Sequence, residues 1–318
     1  MAGITAGVDL GGTKIQTVVV RSGEVAGTAR VATPTTGAAD VISAIIATVH
    51  QALEAAALTP ADLTAVGIGT PGEVNSATGS VSRAHNVVGF AESVDLGPQV
   101  SAAFAGTPVT VDTDVRVAVV GEFQRGAGRP YRNVLGVFVG SGVGGGLILE
   151  GALRRGRGSA GEIGHTVVKP GGRRCSCGRH GCLEAYAGRL SIEEAARRRH
   201  DLGNKTKLFE IMERKGKDRV TSSVVAEALE RGDDVVEELI GQAVDGLAIA
   251  VANAHNLLDL EAIIIGGGLG DRLGATFVER VAAGMQRHLL SPSEPPAVLT
   301  TELRDLSGAV GAAVTAGG

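Results

Sequence analysis

The sequence predicts an α/β fold built twice over, as two lobes with a cleft between them. Two stretches carry most of that prediction. "GVDLGGTKIQTVVV" near the N-terminus and "GVFVGSGVGGGLIL" from residue 136 share one hydrophobic pattern over fourteen residues each. Both read as strand, glycine turn, strand, and they open the two halves of the chain, as an internal duplication would. Strands and helices also alternate through the first third, which argues for a sheet with parallel strands. No Pro- or Ser-rich linker separates the halves.

Taken in order, the first hairpin is followed by residues 39–58, where Val41, Ile45, Val49, Leu53 and Ala56 recur at helical spacing. Strands follow at 63–68, ending in "GTPGEV", and at 109–114. The second hairpin spans 133–153. In "LSIEEAARRRH", Ser191 and Glu194 fit a capping box, so a helix is expected to start there. Residues 202–222 are polar and Lys-rich and read as a loosely packed connection. A long helix fits 233–257, then a strand in "EAIIIGGG", then a helix over about 273–290. The small-residue tail from Glu302 reads as a helix able to pack back onto the first lobe. The expected lobes are therefore 1–115 plus about 303–318, and 116–302.

Bulk properties narrow the function. A hydrophobic fraction of 44% supplies a core, and with 3% aromatics and no Trp that core must be aliphatic. The net charge of -4, with both signs mixed, offers no basic face for nucleic acid and no polybasic membrane patch. No apolar run approaches the roughly 20 residues of a membrane span. A strand and a turn are reached within ten residues, so no signal peptide is expected. An odd cysteine count then fits a reducing cytoplasm.

Glycine is the informative excess, at 48 residues, clustered in packets that abut strands. "GSGVGG" satisfies G-x-G-x-x-G, but the dinucleotide fingerprint needs a helix directly afterwards and here another strand follows. No P-loop motif occurs. A glycine hairpin turn still presents successive bare N–H groups as an anion nest. A lone Gly-rich hairpin is more often just a tight turn. Here Asp9, Thr13 and Lys14 add a candidate metal-water ligand, a hydroxyl and a cation. With two turns at matching places and a third packet, "GGGLG", between strand and helix, the pattern points to nucleotide phosphate.

All three cysteines lie within "CSCGRHGCLE", residues 175–184. Cys175, Cys177 and Cys182 with His165 make a complete tetrahedral donor set, the closed kind that holds structural zinc. His180 is an alternative fourth ligand; His165 is preferred because ligands from two segments pin a loop. Free cysteines usually sit singly as small buried residues, which clustering in a polar loop argues against. A disulfide between next-but-one cysteines would close a strained ring.

Among the acids, Asp114 ends the apolar strand in "PVTVDTD", where α/β sheets place ligand chemistry. It could serve as the base for a hydroxyl or as an N-cap to the helical run behind it, and spacing does not separate the two. Glu162 and Glu184 flank the cysteine site and suit the vicinal hydroxyls of a sugar. Asn86, in "SRAHNVVGF", is a further hydroxyl partner or a turn residue.

Together these residues resemble the ROK family of bacterial sugar kinases and repressors, over essentially the whole chain. "DLGGTK" is similar to the family's first phosphate motif (Asp9, Gly11, Gly12, Thr13, Lys14). "GSGVGGG" is similar to the second (Gly140, Ser141, Gly142, Gly144), and "IIIGGG" to the segment near adenosine (Gly266, Gly267, Gly268). "GEIGH" followed by "CSCGRHGCLEAYAG" matches its paired signatures. The resemblance implies the actin/hexokinase-like architecture, with two lobes each related to ribonuclease H and frequent dimers or tetramers. It implies ATP and Mg2+ as the phosphoryl source and Asp114 as the base. Glu162, His165 and Glu184, with Asn86 and Thr113, would hold sugar hydroxyls, His165 serving zinc as well. The family usually reads Asn-Asp-Ala-Asn where this chain has Thr113, Asp114, Val115 and Arg116, and Asp112 next to them would accept a cationic substituent. The implied activity is an ATP-dependent hexokinase, most simply glucose to glucose 6-phosphate. Kinases for other hexoses, N-acetylated or 3-amino sugars are the alternative. A repressor needs a DNA-binding domain ahead of a first strand that starts near residue 4, and is not expected. A non-catalytic sugar-binding protein is the remaining reading.

Overall fold

The computed structural model describes residues 3–318; Met1 and Ala2, which head the predicted first lobe, lie outside them. The chain forms two compact units, one running to Arg129 and resuming with Asp305–Gly318, the other Pro130–Arg304. The first holds β1 (Ile4–Leu10), β2 (Lys14–Arg21), β3 (Glu24–Ala32), α1 (Ala38–Ala55) and β4 (Leu63–Thr70). It continues with the short β5 (Glu73–Asn75) and β6 (Ser80–Ser82), then α2 (Leu96–Ala103), β7 (Val109–Thr113) and α3 (Asp114–Arg125). The second unit opens with β8 (Val134–Val139), β9 (Val143–Leu149) and β10 (Ala152–Arg154). Helices α4 (Glu184–Ala187), α5 (Arg189–Asp201), α6 (Leu208–Arg214), α7 (Ser222–Glu230) and α8 (Asp234–Leu258) follow. Strand β11 (Ala262–Gly266), helix α9 (Gly267–Met285) and strand β12 (Ala297–Thr300) complete it. Helix α10 (Ser307–Gly317) returns to the first unit.

The duplication is explicit in the topology. One sheet has the order β3-β2-β1-β4-β7 and the other β10-β9-β8-β11-β12. In each, the glycine hairpin pairs antiparallel, and the three strands on its inner side run parallel. The parallel crossovers place helices on the sheet faces, as right-handed βαβ connection requires.

One face of the first sheet is apolar. Ala6, Val8 and Leu10 of β1 and Val66 and Ile68 of β4 pack with Val41, Ile45 and Val49 of α1. The opposite face is lined with glycine because α10 comes against it. A Cβ on Gly7 would overlap the carbonyl of Ala309, and one on Gly67 would overlap that of Ala312. The same intimacy joins α10 to α3, since a Cβ on Gly311 would overlap the carbonyl of Val117. The predicted tail helix therefore packs where expected, and it takes α3 with it. This moves the unit boundary from the expected 115/116 and 302/303 to Arg129/Pro130 and Arg304/Asp305.

Four local expectations change. Ser191 lies inside α5, which starts at Arg189 with Gly188 as N-cap and no side-chain cap. The helix after β11 begins directly at Gly267, and Gly274 (φ 67°) breaks its regularity; the small residues of its first turn hid the start. Residues 202–222 are packed: Leu208, Ile211 and Val220 are fully buried. Asp233, the α8 N-cap, accepts from Thr206 Oγ1 (2.7 Å) and Lys207 N–H (2.6 Å) and anchors that stretch. Strand β3, missed because its residues alternate in exposure and carry charges, is the sheet edge.

Replacing Gly67 with Ala is expected to destabilise the protein by about 2–3 kcal/mol through overpacking against α10. Gly241→Ala, in the open interior of α8, is expected to be neutral or to stabilise by up to about 1 kcal/mol. Urea unfolding of both variants checks the contrast.

Candidate functional site

In the first unit, the parallel strands present their carboxyl ends as one row. Asp9 of β1 is in register with Gly69 of β4, and Gly69 with Asp112 of β7. Gly69 is needed there, because a Cβ would sit 3.3 Å from Asp114 Cα and overlap Val117. Asp114 is the first residue of α3, one past the N-cap Thr113, and its Oδ1 accepts from Val115 N–H at 2.8 Å. Asp9 lies against the start of α10, where a Cβ on Gly308 would come within 2.7 Å of its Cγ. Burial, and next the charge of Asp114, push the Asp9 carboxyl up to about 7, while Lys14 pulls it down.

The first glycine turn is closed by Gly11 N–H donating to Lys14 C=O (2.9 Å). Thr33 braces it through its Oγ1, which donates to the Gly11 carbonyl at 2.6 Å. Gly12 passes close to the backbone of exposed Asn86, whose carbonyl would lie 2.5 Å from a Cβ there. Exposed Thr13 precedes Lys14, whose Nζ is 3.2 Å from Asp305. Asp305 carries no sequence signal, since only the return of the chain at α10 brings it to the turn.

Asp112 corrects the sequence reading. It is buried, accepts from Thr113 N–H (2.9 Å), and pairs with the equally buried Arg116 at 3.4 Å. Its charge is matched inside the chain, so it is not available to a cationic sugar substituent. Arg116 is likewise engaged inside the chain through this pair.

In the second unit, the turn at Gly140, Ser141 and Gly142 closes with Gly140 N–H donating to Gly142 C=O (2.9 Å), and the Cα of Gly140 faces open space. Gly144 lies two residues along β9, confirming that a strand and not a helix follows the turn. At β11, Gly267 (φ 85°) approaches the backbone of Val139 so closely that a Cβ would sit 2.7 Å from its nitrogen. Gly266 and Gly268 complete this strand-to-helix junction, with Ser222 Oγ of α7 facing Gly268.

The cysteine loop folds as a knuckle. Cys175 N–H donates to Arg179 C=O (2.8 Å) and Gly178 N–H to Cys175 C=O (3.0 Å), with Gly178 and Gly181 at positive φ. The ligating atoms of His165, Cys175, Cys177 and Cys182 all lie within 4.8 Å of one another. His165 Nδ1 to Cys175 Sγ and Cys177 Sγ to Cys182 Sγ are both 3.7 Å. A tetrahedron with Zn–S bonds of about 2.3 Å has edges of about 3.8 Å, so the donor set fits such an ion. His180 is not in the cluster; its backbone bridges to Arg174 instead. Hydrogen bonds from the Arg179 backbone and then its side chain hold the Cys177 thiol down at about 6, whereas burial pushes Cys182 up to about 12.

Glu162 is exposed and N-caps the 3-10 turn Ile163–His165, its carbonyl accepting His165 N–H at 3.1 Å. Glu184 opens α4, two residues after Cys182. Its Oε2 accepts Val143 N–H (3.0 Å) and its Oε1 accepts from Ser176 Oγ (2.7 Å). Sequence reasoning missed Ser176 and also Arg189, whose Nη2 donates to Ser141 Oγ at 2.8 Å. The first unit thus gathers Asp9, Gly11, Gly12, Thr13, Lys14, Asn86, Thr113 and Asp114. The second gathers the other predicted residues into the metal cluster, the second turn and the β11–α9 junction.

Comparison with known proteins agrees with this anatomy. The profile of the ROK family matches residues 5–317. A glucokinase of Streptomyces coelicolor is 33% identical over 321 residues, covering 98% of this chain and 96% of its own. An N-acetylmannosamine kinase of Haemophilus influenzae is 31% identical over 265 residues, covering 83% and 80%. The crystal structure of a ROK family glucokinase from Streptomyces griseus, in complex with glucose and AMPPNP, superposes with a TM-score of 0.81 at 33% identity, covering 99% of each chain. With its two sheets of one topology, its His–Cys knuckle and its glycine turns, this chain has the actin/hexokinase-like fold and belongs to the ROK family of sugar kinases.

Proposed function

We propose that the protein is an ATP-dependent hexose kinase that transfers the γ-phosphoryl group to the 6-hydroxyl of glucose. The observation that carries the reading is Asp114, held at the carboxyl end of β7 and the head of α3 within a chain of this family. Phosphoryl transfer asks the protein mainly for positioning and charge, plus a carboxylate to take the hydroxyl proton. Asp114 fills that role, Asn86 and Thr113 contact the sugar, and Glu162, His165 and Glu184 accept its hydroxyls. Glycines 11, 12, 140, 142 and 144 present backbone N–H groups to the phosphates, with Thr13 and Ser141 as hydroxyl donors and Lys14 as the cation. Gly266, Gly267 and Gly268 form the strand-to-helix junction beside which the adenosine would lie. Asp9 would hold the water shell of a nucleotide-borne Mg2+. His165, Cys175, Cys177 and Cys182 would hold zinc, which supplies no chemistry but fixes the His165 ring beside the sugar contacts.

A second reading has specific support. The Haemophilus influenzae relative is an N-acetylmannosamine kinase. An acetamido group is neutral, so the internal pairing of Asp112 with Arg116 does not disfavour it, whereas that pairing removes the reason for a free 3-amino group. A coupled ADP-release assay over glucose, mannose, N-acetylglucosamine, N-acetylmannosamine and 3-amino-glucose separates these substrates. In the same assay Asp114→Asn is expected to lower kcat by about 10²- to 10⁴-fold while calorimetric sugar binding persists. Turnover close to wild type would reject Asp114 as the base.

Metal analysis of native protein is expected to find about one zinc per chain, lost in Cys177→Ser. A chelator should lower the unfolding temperature of wild type only.

Asp9 predicts a pH dependence of stability. Its folded pKa of about 7 lies above the unfolded value of 3.8, so the folded state binds the extra proton between them. Stability then falls as pH rises through that window. Asp9→Asn is expected to flatten that fall, to stabilise the metal-free protein above pH 7, and to lose kinase activity; denaturant unfolding from pH 4 to 8 measures the first two.

A further inference from the structure

The second glycine turn is fastened from outside its own hairpin. Glu184 Oε2 accepts the N–H of Val143 at 3.0 Å, and a Cβ on Gly142 would overlap that oxygen, so the carboxylate lies directly against the turn. The N–H groups of Arg189 and Leu190 donate to the carbonyls of Gly140 (3.0 Å) and Ser141 (3.1 Å). The other oxygen of Glu184 reaches in the opposite direction and accepts from Ser176 Oγ at 2.7 Å. Ser176 stands between Cys175 and Cys177, and Glu184 follows Cys182 by two residues. A continuous set of contacts therefore runs from the metal cluster through Ser176 and Glu184 to the Val143 amide.

We propose that Ser176 and Glu184 form a strut by which the metal loop sets the shape of the turn at 140–143, so that nucleotide affinity depends on the order of that loop. The proposal rests on reading this turn as a nucleotide phosphate cradle. An anion nest binds only when its N–H groups converge, and a glycine-rich turn has more backbone freedom to lose than any other sequence. Fastening it in advance removes that cost from binding. Ser176 Oγ and Glu184 Oε1 each also lie 3.8 Å from Cys175 Sγ; Ser176 is a positioning residue that acts on the turn through Glu184. With the cysteines gathered on an ion, Ser176 is a fixed anchor. Without the ion, the loop keeps its small core and its bonds to Tyr186 and His165 but loses the restraint that gathers the cysteines, and the strut has a looser footing.

The test compares full-length, zinc-loaded wild type, Ser176→Ala and Ser176→Thr. The readouts are titration with a fluorescent ATP analogue, KM for ATP and for sugar, kcat, and hydrogen exchange of residues 139–147. Ser176→Ala is expected to keep its zinc, to weaken analogue binding and raise KM for ATP by about three- to tenfold, and to leave kcat within about twofold. Exchange at 140–143 should speed up in that variant, and in wild type stripped of zinc by a chelator. Ser176→Thr, which keeps the hydroxyl, should restore both. A shift confined to the sugar KM, unchanged affinity and exchange, or loss of zinc from Ser176→Ala each overturns the strut. A wild type that binds no nucleotide overturns the cradle and the strut together, whereas equal binding by wild type and Ser176→Ala overturns the strut alone.

Discussion

The first unit depends on one steric constraint, the near-contact of α10 with the sheet and with α3. Side chains normally hold a helix about 10 Å from a sheet. Here glycines at 7 and 67 on the strands, and at 311 on the helix, remove the spacers and let backbone meet backbone. The constraint has chemical consequences. It brings the chain back from the second unit, so that Asp305 reaches Lys14 at the first turn. It also sets the start of α10 over Asp9, with Gly308 leaving space for a carboxylate that burial and Asp114 then drive toward neutrality. Tight packing and a perturbed acid are thus two results of the same small residues.

In the second unit the equivalent constraint is the cysteine knuckle. Cys175 and Cys182 are buried with Ala185 and Tyr186, so the loop has a small core of its own that joins it to α4. The Tyr186 hydroxyl accepts from Arg173 N–H (2.9 Å) and fixes the loop's entry. A depressed Cys177 thiol and a raised Cys182 thiol in one cluster describe donors of unequal readiness. A cation at their centre would equalise them, because a coordinating thiol is deprotonated outright.

Much of this was legible in the sequence. The duplication was visible because turn glycines and strand hydrophobics recur at matching offsets, and the sheet orders repeat it. The four-donor cluster is legible because donors that share an ion must lie together, and His165 rather than His180 lies inside it. What the sequence could not carry is whatever depends on direction. Asp112 looked like an acid free to meet a ligand, yet burial turned it onto Arg116. Residues 202–222 looked loose from composition, yet two apolar residues on α6 and one buried cap, Asp233, suffice to pack them. Ser176, Arg189 and Asp305 gave no signal, because each matters only through a partner that is distant in sequence.

The two hairpins also show how one fold divides its labour. By register, Asp9 of β1 faces Gly69, and Phe138 of β8 holds the matching place beside Gly266. Likewise Lys14 opens β2 where Val143 opens β9. The first turn thus carries its charges on itself, an acid two residues before its glycine pair and a cation two residues after it. The second turn carries none, and its one polar side chain is Ser141, which Arg189 engages. A turn of this kind has little of its own to hold its shape, so the restraint comes from neighbours. Glu184 and Arg189 supply it, and Glu184 follows directly on the cysteine loop, so the turn and the candidate metal cluster share one support.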